Sequence, residues 1–432
     1  MASRLWVESA HQSLLRPGGD VCGDAVRILT TAEQFLAVLA SAPQEGDKGT
    51  RRQGDKETRA QAARIADGAA DMLARGMPLD ATVEDVLAAL PDGDHTPFSI
   101  LQVLLEGAQA HLVECDAPPL FLTRGGGLVL LPVLEDEWHG HLVRRCRFSL
   151  QAGDHAAMVS EGYIAGAVRR PARAGQARSG ERPERWGWRD VATAVRRWTD
   201  TGCDAGQLLG ALVRTYHRLA EGPAPSTAEG EAPRPGSGPA GRDVTVIAMY
   251  VRPERNATIW TGPPADPAQD AAALEKLMAE PGARVICGDT TAQIAARLLG
   301  AELELEPRPA HAWAEVPPVS RLEGVHLVTE GLVTLGIARE RVARAKQARD
   351  LPRQEDGATR LARVLLSADR VHLIVGLAVN PAQVTLPQPL PGREGGKTAA
   401  GAAHTAPLRQ AVVEELTRDL IARGKLVSVE YL

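Results

Sequence analysis

The spacing of apolar residues changes character near residue 254, and that break limits the folds open to this chain. Before it, short apolar or alternating runs follow one another with turn residues between them, at 4–12, 25–29, 35–41, 98–105, 111–115, 120–123, 128–133, 145–150, 155–160 and 243–252. Runs of this length and alternation predict strands. Helical spacing is predicted over 56–76, where Ile65, Met72 and Leu73 share a face, and again over 79–90, 188–198 and 206–220. A strand meander interrupted twice by paired helices predicts two packed sheets flanked by helices. After the break, helix and strand alternate. A helix opened by Asp266-Pro267 is predicted over 266–279, with further helices at 290–299 and 408–423 and strands at 284–287, 325–328, 371–375 and 426–431. The expected fold class is therefore α/β (α+β), with one domain at 1–253 and a smaller α/β domain at 254–432.

A length of 432 residues supports two cores rather than one. Aromatic residues make up only 3%, so Leu, Val, Ile and Ala must fill those cores. A formal charge of −5 gives no reason to expect nucleic acid or an acidic membrane surface as partner. The five cysteines form no C-x-x-C pair and are odd in number, which fits reduced thiols and a cytoplasmic setting. The opening Met1 to Trp6 has no apolar run, so no signal peptide is expected, and runs such as 127–134 are too short to span a bilayer. Four stretches are too polar or too rich in Pro and Gly to join a core and are expected as inserted loops: 44–59, 168–185, 221–241 and 386–407.

Six short blocks occur in a definite order through the first domain. They are Cys22-Gly23-Asp24; Val38-Leu39-Ala40-Ser41-Ala42; Glu114-Cys115-Asp116-Ala117-Pro118-Pro119-Leu120; Met158-Val159-Ser160-Glu161-Gly162; Trp186-Gly187-Trp188; and Arg242-Asp243-Val244-Thr245-Val246. In this order they resemble the SpoIIE-type protein phosphatases of the metal-dependent (PPM, type 2C) serine/threonine class. The second half resembles the C-terminal α/β domain of one subgroup, through Thr261-Gly262-Pro263-Pro264, Ile286-Cys287-Gly288-Asp289-Thr290-Thr291, Leu327-Val328-Thr329-Glu330-Gly331 and Asn380-Pro381-Ala382. The resemblance implies an αββα sandwich and dephosphorylation of phosphoserine or phosphothreonine on a protein. It also implies a Mn2+ or Mg2+ cofactor.

Such a phosphatase holds two divalent cations about 3.5–4 Å apart and activates a water between them. Hard cations take oxygen ligands, mainly carboxylates. By the resemblance, the bridging Asp position is Ser41 here, with Ala42 for the adjoining Gly. The Ser-Asp-Gly carboxylate is Glu161, followed by Gly162. The last ligand Asp aligns with Arg242, whose neighbour Asp243 survives. A guanidinium repels a cation. The surviving catalytic and metal positions are thus Asp24, Glu161 and Asp243, with Gly162 beside them. That set implies one weak metal site or none.

Arg242 in the vacated position is also a candidate phosphate contact. In the second domain a strand, a Gly turn and a Thr-capped helix make Gly288, Thr290 and Thr291 a candidate anion site. His139-Gly140-His141 reads instead as a solvated turn in an acidic loop (Glu135, Asp136, Glu137), with no third metal ligand in view. Residues 392–398 suggest a phosphate-binding loop, but Pro391 occupies the first Gly position.

The leading expectation is a degenerate phosphatase with reduced or no catalysis, acting by binding a protein partner or phosphoprotein. The alternatives are an active enzyme with an altered metal site of Asp24, Glu161 and Asp243, and a small-molecule sensor working through the second domain.

Overall fold

The computed structural model describes residues 4–15, 21–41, 51–91, 94–165, 187–200, 202–221, 243–307, 316–378 and 405–432. Its contacts divide the chain into two compact units, Met1–Pro253 and Glu254–Leu432. Arg242, the body of the inserted loops, the 392–398 segment and Asn380 to Ala382 lie outside the described residues.

The strands of the first unit are β1 (Leu5–Leu14), β2 (Ala25–Thr30), β3 (Gln34–Ala40), β4 (Phe98–Leu104), β5 (Gln109–Cys115), β6 (Phe121–Arg124), β7 (Gly127–Val129), β8 (Leu134–Trp138), β9 (His141–Ser149), β10 (His155–Val159) and β11 (Val244–Pro253). Its helices are α1 (Arg51–Ala74), α2 (Leu79–Ala88), α3 (Glu161–Ala165), α4 (Trp188–Thr199) and α5 (Ala205–Glu221). One sheet has the order β1-β11-β10-β6-β7 and the other β2-β3-β4-β5-β9-β8, with antiparallel neighbours throughout.

The period-2 alternation of the strands sorts their side chains into three apolar layers. Between the sheets, Phe35, Ala37 and Leu101 of one meet Val7, Met158 and Ile247 of the other. The opposite faces are covered by helices. Leu36, Val38 and Ile100 pack on Ile65 and Leu73 of α1 and Val83 of α2, while Phe121, Ala157 and Val246 pack on Val191, Val195 and Leu212 of α4 and α5. The result is a helix–sheet–sheet–helix sandwich. At the start of α4 the Asp190 carboxylate accepts the Gly187 N–H at 3.0 Å, and Trp188 stacks on Phe121 with centroids 5.6 Å apart.

Two local expectations are corrected here. Residues 51–55, expected as loop, form the first turns of α1 ahead of the helix predicted from 56; the charged sequence has no apolar spacing there to mark it as helix. The acidic 135–137 stretch is not a loop but the edge strand β8, hairpinned to β9 through His139 (φ 52°) and Gly140 (φ 81°). Two successive positive φ values suit a two-residue hairpin turn. Arg145 of β9 lies over the Trp138 ring at 4.7 Å and pairs with Asp136, which anchors this edge.

The second unit contains β12 (Asn256–Thr261), α6 (Asp270–Ala279), β13 (Ala283–Cys287), α7 (Asp289–Leu299), β14 (Glu304–Leu305), β15 (Val319–Leu322), β16 (Val325–Thr329), α8 (Leu332–Arg344), α9 (Gly357–Ser367), β17 (Arg370–Val375), α10 (Thr405–Ile421) and β18 (Leu426–Tyr431). The sheet order is β14-β15-β16-β13-β12-β17-β18, with parallel pairing from β16 through β18. Ile259, Val285 and Leu373 face Leu335, Leu361 and Leu416 of α8, α9 and α10; Trp260, Ile286 and Ile374 face Leu277 and Ala295 of α6 and α7. Helices on both faces are what a parallel sheet requires. Among the described residues no helix is long and apolar enough to cross a membrane.

Candidate functional site

One end of the first unit's sandwich collects Asp24, Ser41, Ser160 and Asp243 from four of the six blocks. Asp24 immediately precedes β2 and Ser41 immediately follows β3, and the pairing of Ala25 with Ala40 sets them side by side. Ser160 follows β10, and Asp243 precedes β11. Thr245 N–H donates to Ser160 Oγ at 2.9 Å while Ser160 N–H donates to Thr245 O at 2.9 Å, which fixes the second pair of strand ends. Gly23 N–H donates to Asp243 Oδ2 at 2.6 Å and ties the two sheets together.

The cluster is rich in hydroxyls. Ser41, Ser160 and Thr245 are all buried, and Thr245 Oγ1 is 2.9 Å from Ser13 Oγ. Burial pushes the Asp24 carboxyl up to about 6; the nearby Thr245, Ser160 and Ser41 hydroxyls pull it down, and the Asp243 charge adds to the rise. Asp24 Oδ2 is buried with no hydrogen-bond partner among the described residues. Cys22 borders the same cluster, its Sγ 4.0 Å from Thr245 Oγ1. Burial first and Asp24 second push its thiol up to about 11, so it stays protonated and unreactive at neutral pH.

The structure therefore brings Asp24 and Asp243 together. Glu161 is the exposed first residue of α3, directly after Ser160, and Gly162 is buried within that helix. Two cations need a bridging carboxylate to offset their repulsion. At the strand end beside Asp24 the chain offers the Ser41 hydroxyl, 7% exposed, with its N–H held by Pro97 O at 2.8 Å. Among the described residues, Ser41 thus supplies a neutral hydroxyl at the position where the resemblance places a bridging carboxylate. The orphaned Asp24 Oδ2 beside Asp243 is compatible with a single ion.

A second cluster escapes sequence reasoning. His95, Asp116 and His141 each place one donor atom within 4.8 Å of the other two, and among the described residues this is the one such group of three. His141 therefore belongs to a three-donor group, which corrects its reading as part of a solvated turn. The three donors come from separate strand ends, so no short spacing advertises them. An open cleft of about 800 Å3 lies elsewhere on this unit, lined in part by Gln34, Asp80, His111, Arg145 and Arg147; Asp24, Ser41, Glu161 and Asp243 do not line it.

In the second unit Gly288 (φ 138°) follows β13 and is itself the cap residue of α7, without the side-chain cap expected from threonine; Thr290 is exposed and Thr291 fully buried. Gly288 N–H is already spent on Thr329 O at 2.9 Å. Thr291 Oγ1 has no partner among the described residues. Glu330 stands near Asp289, and its carboxyl is held above the usual range, first by burial and then by the Asp289 charge. An anion bound at Gly288, Thr290 and Thr291 would meet both acids.

No family model matches the chain, and no curated protein matches it. Solved structures do show similarity. The PP2C phosphatase domain of SpoIIE from Bacillus subtilis, with a fragment of its regulatory domain, is 14% identical over 58% of this chain and 63% of that one, at a TM-score of 0.41. The RsbU and RsbW domains of a Mycobacterium tuberculosis protein are 14% identical over 64% and 68%, at 0.40. The catalytic domain of the serine/threonine protein phosphatase PstP, in complex with two manganese ions, is 15% identical over 57% and 99%, at 0.35. This chain thus spans less than two thirds of the SpoIIE structure's length.

Proposed function

We propose that residues 1–253 form a phosphatase-like signalling module in which catalysis is reduced or lost, and which acts by binding a phosphoprotein or another protein partner. The observation that carries this reading is Ser41. It occupies the strand end beside Asp24, where the resemblance requires a bridging carboxylate, and its hydroxyl shares that space with Ser160 and Thr245. Neutral hydroxyls leave the charge of two divalent cations uncompensated. What the cluster does well is hold strand ends together through hydrogen bonds, which supports a binding surface rather than a two-metal reaction centre.

A second reading rests on Asp24 Oδ2, buried without a partner beside Asp243. It gives the site one divalent cation and an altered, slower chemistry. Electron paramagnetic resonance during a Mn2+ titration separates the readings. The leading one predicts no saturable Mn2+ binding sensitive to Asp24→Asn. The second predicts one ion lost in that variant. A spin-coupled pair of ions overturns both.

A further inference from the structure

We propose that His95, Asp116 and His141 form a binding site for one borderline transition-metal ion, with Zn2+ the best match. The group uses none of the Asp24, Ser41 and Asp243 side chains, although it lies along the same end of the sheet, where Ser41 N–H donates to Pro97 O two residues beyond His95; it does not depend on the function proposed above. Its three donors converge because of sheet register. Phe98 of β4 pairs with Cys115 of β5, and Cys115 pairs with Val143 of β9. His95 lies just before β4, Asp116 just after β5, and His141 opens β9, so adjacent strand ends present all three at one rim.

The supports are rigid. Asp116 holds a left-handed backbone (φ 48°), and its N–H donates to Leu142 O at 3.1 Å. The turn after it is pinned from both sides: Arg144 Nη2 donates to Ala117 O at 2.5 Å and contacts Glu114 Oε2 at 3.0 Å, while Glu114 Oε1 accepts the Leu120 N–H at 2.5 Å. His141 is 6% exposed, with Nδ1 2.9 Å from Asp116 Oδ2. The His95 ring meets it edge-on, with centroids 5.4 Å apart.

Donor chemistry selects the ion. Two imidazoles and one carboxylate suit Zn2+, whereas Mg2+ and Ca2+ prefer oxygen alone. Tetrahedral Zn2+ with bonds of about 2.0–2.2 Å spaces its ligand atoms about 3.3 Å apart. The Asp116–His141 contact is already close to that spacing, and exposed His95 has the freedom to close the third edge. Three protein ligands leave a fourth position for water or a ligand oxygen.

The test is calorimetric titration of chelator-treated, full-length chain with Zn2+, without a histidine tag, alongside the absorption spectrum of the Co2+ form. One equivalent should bind, with Co2+ bands of tetrahedral N/O coordination. His95→Ala, at an exposed position, and Asp116→Asn, which keeps the turn's shape, should each weaken binding at least tenfold while thermal unfolding of the metal-free chain stays close to wild type. Absence of saturable binding, or binding unchanged in both variants, overturns the site.

Discussion

The backbone N–H of Gly23 donates to Asp243 Oδ2 at 2.6 Å, joining the loop before β2 to the start of β11 and so one sheet of the sandwich to the other. A charged acceptor makes this a stronger bond than a neutral pair. Asp243→Ala leaves the Gly23 N–H without that acceptor. The expected cost is about 1–3 kcal/mol. Urea unfolding should show it as a lower midpoint, and hydrogen exchange at Gly23 should quicken. An unchanged midpoint contradicts this role.

Asp24 carries a pH signature. Its carboxyl sits near 6 in the fold, raised mainly by burial from an ordinary 3.8. A raised carboxyl favours the protonated folded state. Its contribution is therefore fully present below about pH 4 and is lost as pH rises through 6. Asp24→Asn mimics the protonated form. At pH 7.5 the variant should be more stable than wild type by on the order of 2–3 kcal/mol, with the difference vanishing near pH 3.5. Paired denaturant titrations across that range check it, and a pH-independent difference contradicts it.

Glu114 and Arg144 offer a second titration. Burial pushes Glu114 up to about 7 even though Arg144, 3.0 Å away, pulls it down. Arg144→Ala removes the compensating charge. The damage should grow with pH, small at 5.5 where the acid is neutral with or without Arg144, and rising to about 2 kcal/mol at 8.5, where the variant must hold the acid protonated or carry its charge without the guanidinium. Melting curves at the two pH values read the contrast.

Two glycines of the second unit should respond in opposite directions. A Cβ at Gly376 would lie 2.0 Å from Pro263 O, a backbone atom that cannot yield without moving the end of β12. Gly376→Ala should destabilise by more than about 1 kcal/mol. Gly336 sits within α8, and a Cβ added there would meet nothing within 4 Å. Gly336→Ala should stabilise by about 0.5–1 kcal/mol. Unfolding midpoints of the two variants decide.

Much of the fold is legible in the sequence where local pattern and tertiary burial agree. β3 and β11 are near-continuous apolar runs and are buried along almost their whole length. β12, central to the second sheet, escapes the pattern because its six residues, Asn-Ala-Thr-Ile-Trp-Thr, give neither a long apolar run nor a clean alternation. α8 and α9 escape it for a related reason: their apolar faces are diluted by arginines, of which Arg341 turns inward to pair with Asp356. In the site, Asp24, Ser41 and Asp243 are readable because ordered blocks place them at strand ends. The Thr245 and Ser160 hydroxyls take on meaning only once β10 and β11 pair. The His95–Asp116–His141 group is invisible in the sequence because register across three strands, not chain proximity, assembles it.

The proposed loss of two-metal chemistry rests on a hydroxyl, Ser41, in place of the bridging carboxylate, together with Arg242 in place of the last ligand Asp. Turnover of a phosphoserine and phosphothreonine peptide panel, with and without excess Mn2+, tests that claim most directly when run beside the Ser41→Asp/Arg242→Asp double variant. Wild type should be silent with or without Mn2+, and the double variant should gain Mn2+-dependent turnover. Wild-type turnover abolished by chelator and by Asp24→Asn would contradict the account.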